Sequence, residues 1–297
     1  MTLKVDHVTK EFKIRKGLHS SKLVAVNDAS FDLEPGRTIA LVGESGSGKS
    51  TIARMILKLE TPTRGRITAD GVDSSARGRT ARNYRNMVQM VFQDPFASLN
   101  PFHSIAHHIE RPLKLHGKAH TSAEARAQVI ELLHRVNLEP AEEIAARRPH
   151  ELSGGQRQRV AIARALAPGA KYLIADEPVS MLDVSIRLSV LNLLSRLQRE
   201  DNLGVLYITH DLATARHFSD EILVMYKGTI VERGPSDDVI LHPRHDYTKL
   251  LLSAAPIPAN HGKLRESVRA ELAAEARAGE EADHDQFGTR GLDPHGS

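Results

Sequence analysis

Cysteine is absent from all 297 residues, which excludes disulfides and cysteine-ligated zinc or iron–sulfur centres. No apolar run approaches the roughly 20 residues of a membrane-spanning helix. The opening Met1-Thr2-Leu3-Lys4-Val5-Asp6-His7 lacks the apolar segment of a secretion signal. If the chain works at a membrane, another chain is expected to span it. Charge of one sign is scarce as well: 40 Lys+Arg against 37 Asp+Glu leave a net +3, which does not imply a nucleic-acid surface. No internal repeat is visible. What is present in quantity is hydrophobic residues, 40% of the chain, enough for the core of one large domain or two modest ones.

Alternating apolar positions at Leu3, Val5 and Val8, then Val24, Val26, Phe31 and Leu33, predict short antiparallel strands. Residues 38–42 read as a buried strand. A glycine-rich stretch follows, and then Ile52, Met55, Ile56 and Leu59 fall at i, i+3, i+4 and i+7 of a helix. From 94 to 148 the chain turns helical and more polar, with Val129, Ile130, Leu133 and Val136 on one apolar face, and reads as an inserted helical subdomain. Residues 156–167 predict another helix, stopped by Pro168-Gly169. Two short buried strands follow at 172–175 and 205–208, with Asp183 between them as N-cap of a helix carrying Ile186, Val190, Leu193, Leu194 and Leu197. Strands alternating with helices imply a parallel α/β sheet, which binds ligands at its strand C-terminal ends.

The glycine-rich stretch Gly43-Glu44-Ser45-Gly46-Ser47-Gly48-Lys49-Ser50 fits G-x-x-x-x-G-K-S/T, a loop whose amides cradle phosphates. Lys49 and the amides from Ser45 to Thr51 are expected to hold the β- and γ-phosphates, and the Ser50 hydroxyl to ligate Mg2+. The helix start after the loop favours an anion there. A plain glycine-rich turn is the competing reading, and the strand–loop–helix setting weighs against it. Asp176 closes an apolar strand, where an unpaired carboxylate is costly unless a cation compensates; a water-mediated Mg2+ contact would do so. Glu177 beside it is the candidate general base toward an attacking water, against an ordinary acidic turn. Ser153, Gly154 and Gly155 precede a predicted helix, so they are either a capped helix start or a second anion site. The loop holding Arg77, Arg79, Arg82 and Arg85 has little aromatic interleaving and reads as solvated. His242 and His245 flank Pro243 and do not make a metal site.

Six segments in order, namely the phosphate loop, Val91-Phe92-Gln93-Asp94-Pro95, Leu152-Ser153-Gly154-Gly155-Gln156, Asp176-Glu177, Ser180-Met181-Leu182-Asp183 and Thr209-His210-Asp211, resemble those of ATP-binding-cassette (ABC) ATPases. The resemblance covers roughly residues 1–257. It implies an α/β P-loop core with an N-terminal antiparallel β subdomain and a helical insert at about 94–164. It implies ATP and Mg2+ as ligands, Gln93 as the residue touching Mg2+ and the attacking water, and His210 as a contact to the γ-phosphate. Ser153, Gly154, Gly155 and Gln156 would close over nucleotide held by a facing subunit in a head-to-tail dimer, with Asp183 in the loop crossing that interface. Met181 stands where alanine is commoner. Phe12 is the candidate for stacking on adenine, against a plain strand residue.

Phe96-Ala97-Ser98-Leu99-Asn100-Pro101, Pro149-His150-Glu151, Arg233-Gly234-Pro235 and His242-Pro243-Arg244-His245-Asp246-Tyr247-Thr248 resemble the ATPase subunits of dipeptide and oligopeptide importers. The early insertion Arg15-Lys16-Gly17-Leu18-His19 is similar to the second of the two ATPases usual in such systems. The resemblance implies two transmembrane permease subunits, a second cassette (a related chain or another copy), an extracytoplasmic solute-binding protein acting indirectly, no nucleic acid, and a peripheral place on the cytoplasmic face of the inner membrane. The alternatives are a soluble or exporter-type cassette, or an importer of nickel, glycosides or oligosaccharides. Residues 258–297 form a separate tail with, from 263, five Lys+Arg against eight Asp+Glu, partly helical or disordered in composition.

Overall fold

The structure, a computed structural model, describes residues 1–16 and 19–254, with side chains over 1–13 and 21–253. The tail expected from 258, and Gly17 and Leu18 of the early insertion, lie outside the described residues.

The N-terminal strands are long, not short: β1 (Leu3–Lys16) and β2 (His19–Leu33) pair antiparallel over nearly their whole length. With β4 (Arg64–Ala69) and β5 (Val72–Asp73) they form a four-stranded antiparallel sheet in the order β2-β1-β4-β5. Val5 and Val8 sit three residues apart and are both buried, as are Val26 and Ala29. The register slips between Val5 and Val8, and the extra residue of a bulge returns the next apolar side chain to the core face. Val24 is the exception to the expected pattern. It faces outward, 44% exposed, opposite Glu11.

The central sheet has six strands in the order β10-β9-β3-β8-β7-β6: β3 (Thr38–Val42), β6 (Val88–Val91), β7 (Tyr172–Asp176), β8 (Gly204–Thr209), β9 (Glu221–Tyr226) and β10 (Thr229–Pro235). Five run parallel, and β10 turns back antiparallel at the edge. The period of two divides the core. Ile39, Leu41, Ile174, Leu206 and Leu223 face the antiparallel sheet and α1 (Lys49–Ile56), whereas Ala40, Val42, Leu173, Val205 and Ile222 face the helices on the other side.

Ile52, Met55 and Ile56 of α1 are fully buried, but Leu59 lies beyond the helix and is 65% exposed. The helix stops early because Leu57 caps it and Lys58 adopts φ 60°. The arginine-rich stretch expected as a loop is mostly the helix α2 (Gly78–Met87), with Ala81 and Tyr84 buried beneath its arginines.

The insert carries α3 (Pro95–Ser98), α4 (Ile105–Leu115), α5 (Ser122–Arg135), α6 (Ala141–Ala146) and α7 (Gly154–Leu166). Val129, Leu133 and Val136 of the expected face are buried. Then come α8 (Val184–Glu200) and α9 (Leu212–Phe218), and after β10, α10 (Ser236–Leu241) and α11 (Asp246–Ala254). Among the described residues, no helix is long and apolar enough to cross a membrane.

Candidate nucleotide site

The phosphate loop runs from the end of β3 into α1. Gly48, at φ 112°, is the N-cap, and a Cβ there would sit 2.4 Å from the Ala25 carbonyl oxygen; only glycine fits. Gly43 is as tightly placed, with a Cβ position 2.2 Å from the Met225 oxygen. No side chain caps α1 and no acid occupies its first turn, so its leading amides remain available to an anion. Lys49 is buried, and its ammonium donates to the Gly43 carbonyl at 2.6 Å, the Glu44 carbonyl at 2.8 Å and Ser47 Oγ at 3.5 Å. Burial lowers its pKa, while the charges of Glu177, Asp176 and Glu44 act to raise it. That coupling places the lysine in the field of both candidate carboxylates.

Strand β7 delivers Asp176, and the next residue leaves the strand at once. Glu177 takes φ 45° and donates its N–H to the Ile208 carbonyl at 2.9 Å, an uncommon conformation for a side chain of this size. The turn aims its carboxylate at two neighbours. Gln93, just past β6, donates Nε2 to Oε2 at 2.9 Å, and His210, just past β8, places Nδ1 3.1 Å from Oε1. Burial raises the pKa of Asp176, the Ser50 hydroxyl opposes this with a hydrogen bond, and the charge of Glu177 raises it further. Four expected residues, Gln93, Asp176, Glu177 and His210, therefore meet at the C-terminal edge of three parallel strands, beside the phosphate loop.

Ser153, Gly154, Gly155 and Gln156 form the start of α7. A reciprocal cap is present, Ser153 Oγ accepting from the Gln156 N–H at 3.3 Å and Gln156 Oε1 from the Ser153 N–H at 3.0 Å. The helix thus begins two residues earlier than expected. The Ser153 hydroxyl accepts in this cap and still has its own proton to donate. A Cβ on Gly155 would fall 2.6 Å from Ile186 Cγ2. Among the described residues no hydrogen bond joins 153–156 to the phosphate loop. Two contacts tie α7 to α3: Arg157 stacks over Phe96 at 4.2 Å, and Arg164 donates to the Ser98 carbonyl at 2.5 Å.

Asp183 stands at the N-cap of α8 but its side chain makes no capping bond. The 180–183 loop is held instead by Arg187, which donates Nε to the Leu182 carbonyl at 2.7 Å and a second nitrogen to Ser180 at 3.4 Å. Phe12 is half-buried on β1 opposite Leu23, with the Lys10 ammonium 4.9 Å from its ring centroid. Two further residues hold the backbone around the site. Tyr247 accepts the Glu44 N–H at 3.0 Å, and Asp211 caps α9 by accepting from Ala213 and Thr214. A serine- or aspartate-type cap was legible at Asp211; nothing local marks Tyr247 as a neighbour of residue 44.

A strand–phosphate loop–helix unit with an Asp-Glu pair at a nearby strand end defines a P-loop nucleotide-hydrolase site on a parallel sheet. The chain belongs to the ABC transporter family, whose model matches residues 26–180, and a second model, the oligopeptide/dipeptide transporter C-terminal region, matches 231–283. It is 45% identical over 89% of its length to the oligopeptide transport ATP-binding protein AppF of Bacillus subtilis and 46% identical over 86% to OppF of the same organism, spanning 80% and 83% of them. It is also 46% identical over 90% of its length to the glutathione import ATP-binding protein GsiA of Pectobacterium atrosepticum, of which it spans 43%. Among solved structures it superposes on the dimeric cassette MJ0796 bound to ADP and Pi, with a TM-score of 0.68 and 32% identity, covering 80% of this chain and 99% of that one. The chain is an ATP-hydrolysing cassette of a transporter.

Proposed function

We propose that the chain energises an importer of di- or oligopeptides. Working from the cytoplasmic face of the membrane, it would pair head to tail with a second cassette, a related chain or another copy, and drive two separate permease subunits served by a solute-binding protein. The observation that carries the hydrolytic part is the Glu177 carboxylate held between Gln93 and His210 beside a buried Lys49. Both oxygens of Glu177 are aimed by neighbours, which orients the carboxylate to take a proton from a water in line with a γ-phosphate. Lys49 and the amides from Ser45 to Thr51 hold the phosphates, and His210 reports on the terminal one.

The donors near the loop fit Mg2+: the Ser50 hydroxyl, the Asp176 carboxylate and the Gln93 carbonyl are all oxygens, and burial leaves Asp176 short of positive charge. Bound there, the ion would neutralise charge on the β- and γ-phosphates. Phe12 supplies a face for adenine at the edge of the β1–β2 pair. Since Ser153 to Gln156 share no bond with the phosphate loop of their own chain, their free hydroxyl proton and helix start serve the nucleotide of the facing cassette, with Asp183 at the seam.

Coupling to the permeases would run through 93–101 and Glu151; within that stretch Phe96 is 49% exposed, and Phe92 and Phe102, one on either side of it, are 43% and 80% exposed. Peptide import is favoured over other cargo by the relatives' names and by the C-terminal region match. The test is purification from native membranes in detergent, with mass spectrometry of what accompanies the chain. Two permeases, a second cassette and a solute-binding protein are expected; ribosomal proteins or an absence of membrane partners would overturn the import reading.

A further inference from the structure

The phosphate loop is held from behind by the C-terminal part of the fold. The Glu44 N–H donates to the hydroxyl of Tyr247 in α11, and the Glu44 carbonyl accepts from Lys49, so residue 44 is fixed at both its backbone groups. A little further on, the Gly228 N–H from the β9–β10 turn donates to the Ser47 carbonyl at 2.9 Å. Tyr247 is itself buried, its ring 4.1 Å from that of Tyr226 at the end of β9. Its N–H donates to His245 Nδ1 at 3.1 Å. The turn that carries it is anchored on β10, where the Glu232 carboxylate accepts the Arg244 N–H at 2.8 Å and the His245 N–H at 3.0 Å. An unbroken hydrogen-bonded path thus joins β10 to the loop through Glu232, His245 and Tyr247.

We propose that Tyr247 is a positioning residue for nucleotide binding: its hydroxyl keeps the phosphate loop in its receiving shape, and the 232–247 segment thereby sets ATP affinity. The inference rests on reading 43–51 as the ATP loop. Without the hydroxyl, the Glu44 N–H loses its acceptor, the 43–44 peptide is freer to turn, and a smaller fraction of molecules presents the loop ready for phosphate. Apparent affinity falls by that fraction. The ring-on-ring contact with Tyr226 survives in Tyr247→Phe, so packing and loop positioning can be told apart.

The experiment titrates the full-length chain with a fluorescent ATP analogue and measures ATPase kinetics for wild type, Tyr247→Phe and Glu232→Gln, with melting temperatures alongside. Tyr247→Phe is expected to raise Kd and KM for ATP by about three- to tenfold, the loss of one neutral hydrogen bond, with a much smaller change in kcat. Glu232→Gln, which weakens the anchored turn but leaves Tyr247 in place, is expected to move Kd the same way by a smaller factor. Wild-type Kd in Tyr247→Phe overturns the proposal, whatever the melting temperature does, because the tyrosine is then a packing residue only. Wild-type Kd in Glu232→Gln overturns the link to β10. Lys49→Ala tests the underlying reading separately: if it hydrolyses ATP normally, the loop assignment itself fails.

Discussion

His210 Nδ1 stands 3.1 Å from Glu177 Oε1, and a carboxylate accepts, so the imidazole carries its proton on that nitrogen. In the neutral ring Nε2 is then a lone pair, which cannot donate to a phosphate. To contact a γ-phosphate the ring must turn or take up a second proton. With a second proton the ring donates to Glu177 from Nδ1 and to a phosphate from Nε2 at once, so the pairing is compatible with that contact.

Glu177→Gln keeps the shape of this cluster and removes the base. Turnover is expected to drop by at least about 100-fold, while a fluorescent ATP analogue still binds and size-exclusion chromatography with ATP shows an accumulated dimer. Unaltered turnover would remove Glu177 from the role.

Asp176 gives a pH signature in the nucleotide-free chain. Its pKa is raised on folding, chiefly by burial, so the stability tied to its protonated form is complete below the ordinary carboxylate value and is lost as pH rises through the higher folded value. Asp176→Asn escapes that loss. Its melting temperature should exceed wild type by roughly 1–3 °C near pH 7, with the gap closing on acidification. A gap that widens toward acid would reverse the assigned sign.

Gly155→Ala tests how closely α7 lies on α8. The added methyl meets Ile186 Cγ2 at 2.6 Å, a β-branched group with little room to move, and overpacking costs about 1–3 kcal/mol. Alanine's better helix propensity returns at most about 1 kcal/mol. Urea denaturation is expected to show a net loss on the order of 1 kcal/mol, and a stabilised variant would contradict the contact.

Gln158, one turn into α7, is fully buried with neither its amide nitrogen nor its oxygen bonded to protein. Burying an amide without partners costs roughly 1–3 kcal/mol. Gln158→Met, similar in volume and free of that cost, should raise the melting temperature. A fall would mean that the amide finds partners in solution, for which an interior water is the physical candidate.

The α/β core was legible because its signals are local. An apolar strand, a glycine loop and a 3.6-residue helix sit next to one another at 38–56, and each has its own pattern. The Asp176–Glu177 pair was readable for the same reason, an apolar strand ending in two acids. Where the reading failed, the cause lay elsewhere in the chain. Leu59 continues the α1 stripe in sequence, but the helix ends at Lys58's left-handed turn. Val24 fits a strand alternation, yet the bulges of β1 shift which side chains face inward. Arg77 to Arg85 looked like a loop because its charges hide the two residues, Ala81 and Tyr84, that anchor a helix. Tyr247 lies about 200 residues from Glu44, a separation across which no spacing rule speaks.

Arg157 and Arg164 bind α3 to the body of α7 at two points, Phe96 and the Ser98 carbonyl. A short helix fixed this way has no independent hinge. Ser153 caps the same α7, so these two contacts tie the 95–98 turn directly to the helix whose start carries Ser153. On the proposed reading, Arg164→Ala is expected to leave ATP turnover near wild type and to lower the transport that turnover supports, measured side by side in the membrane-bound assembly.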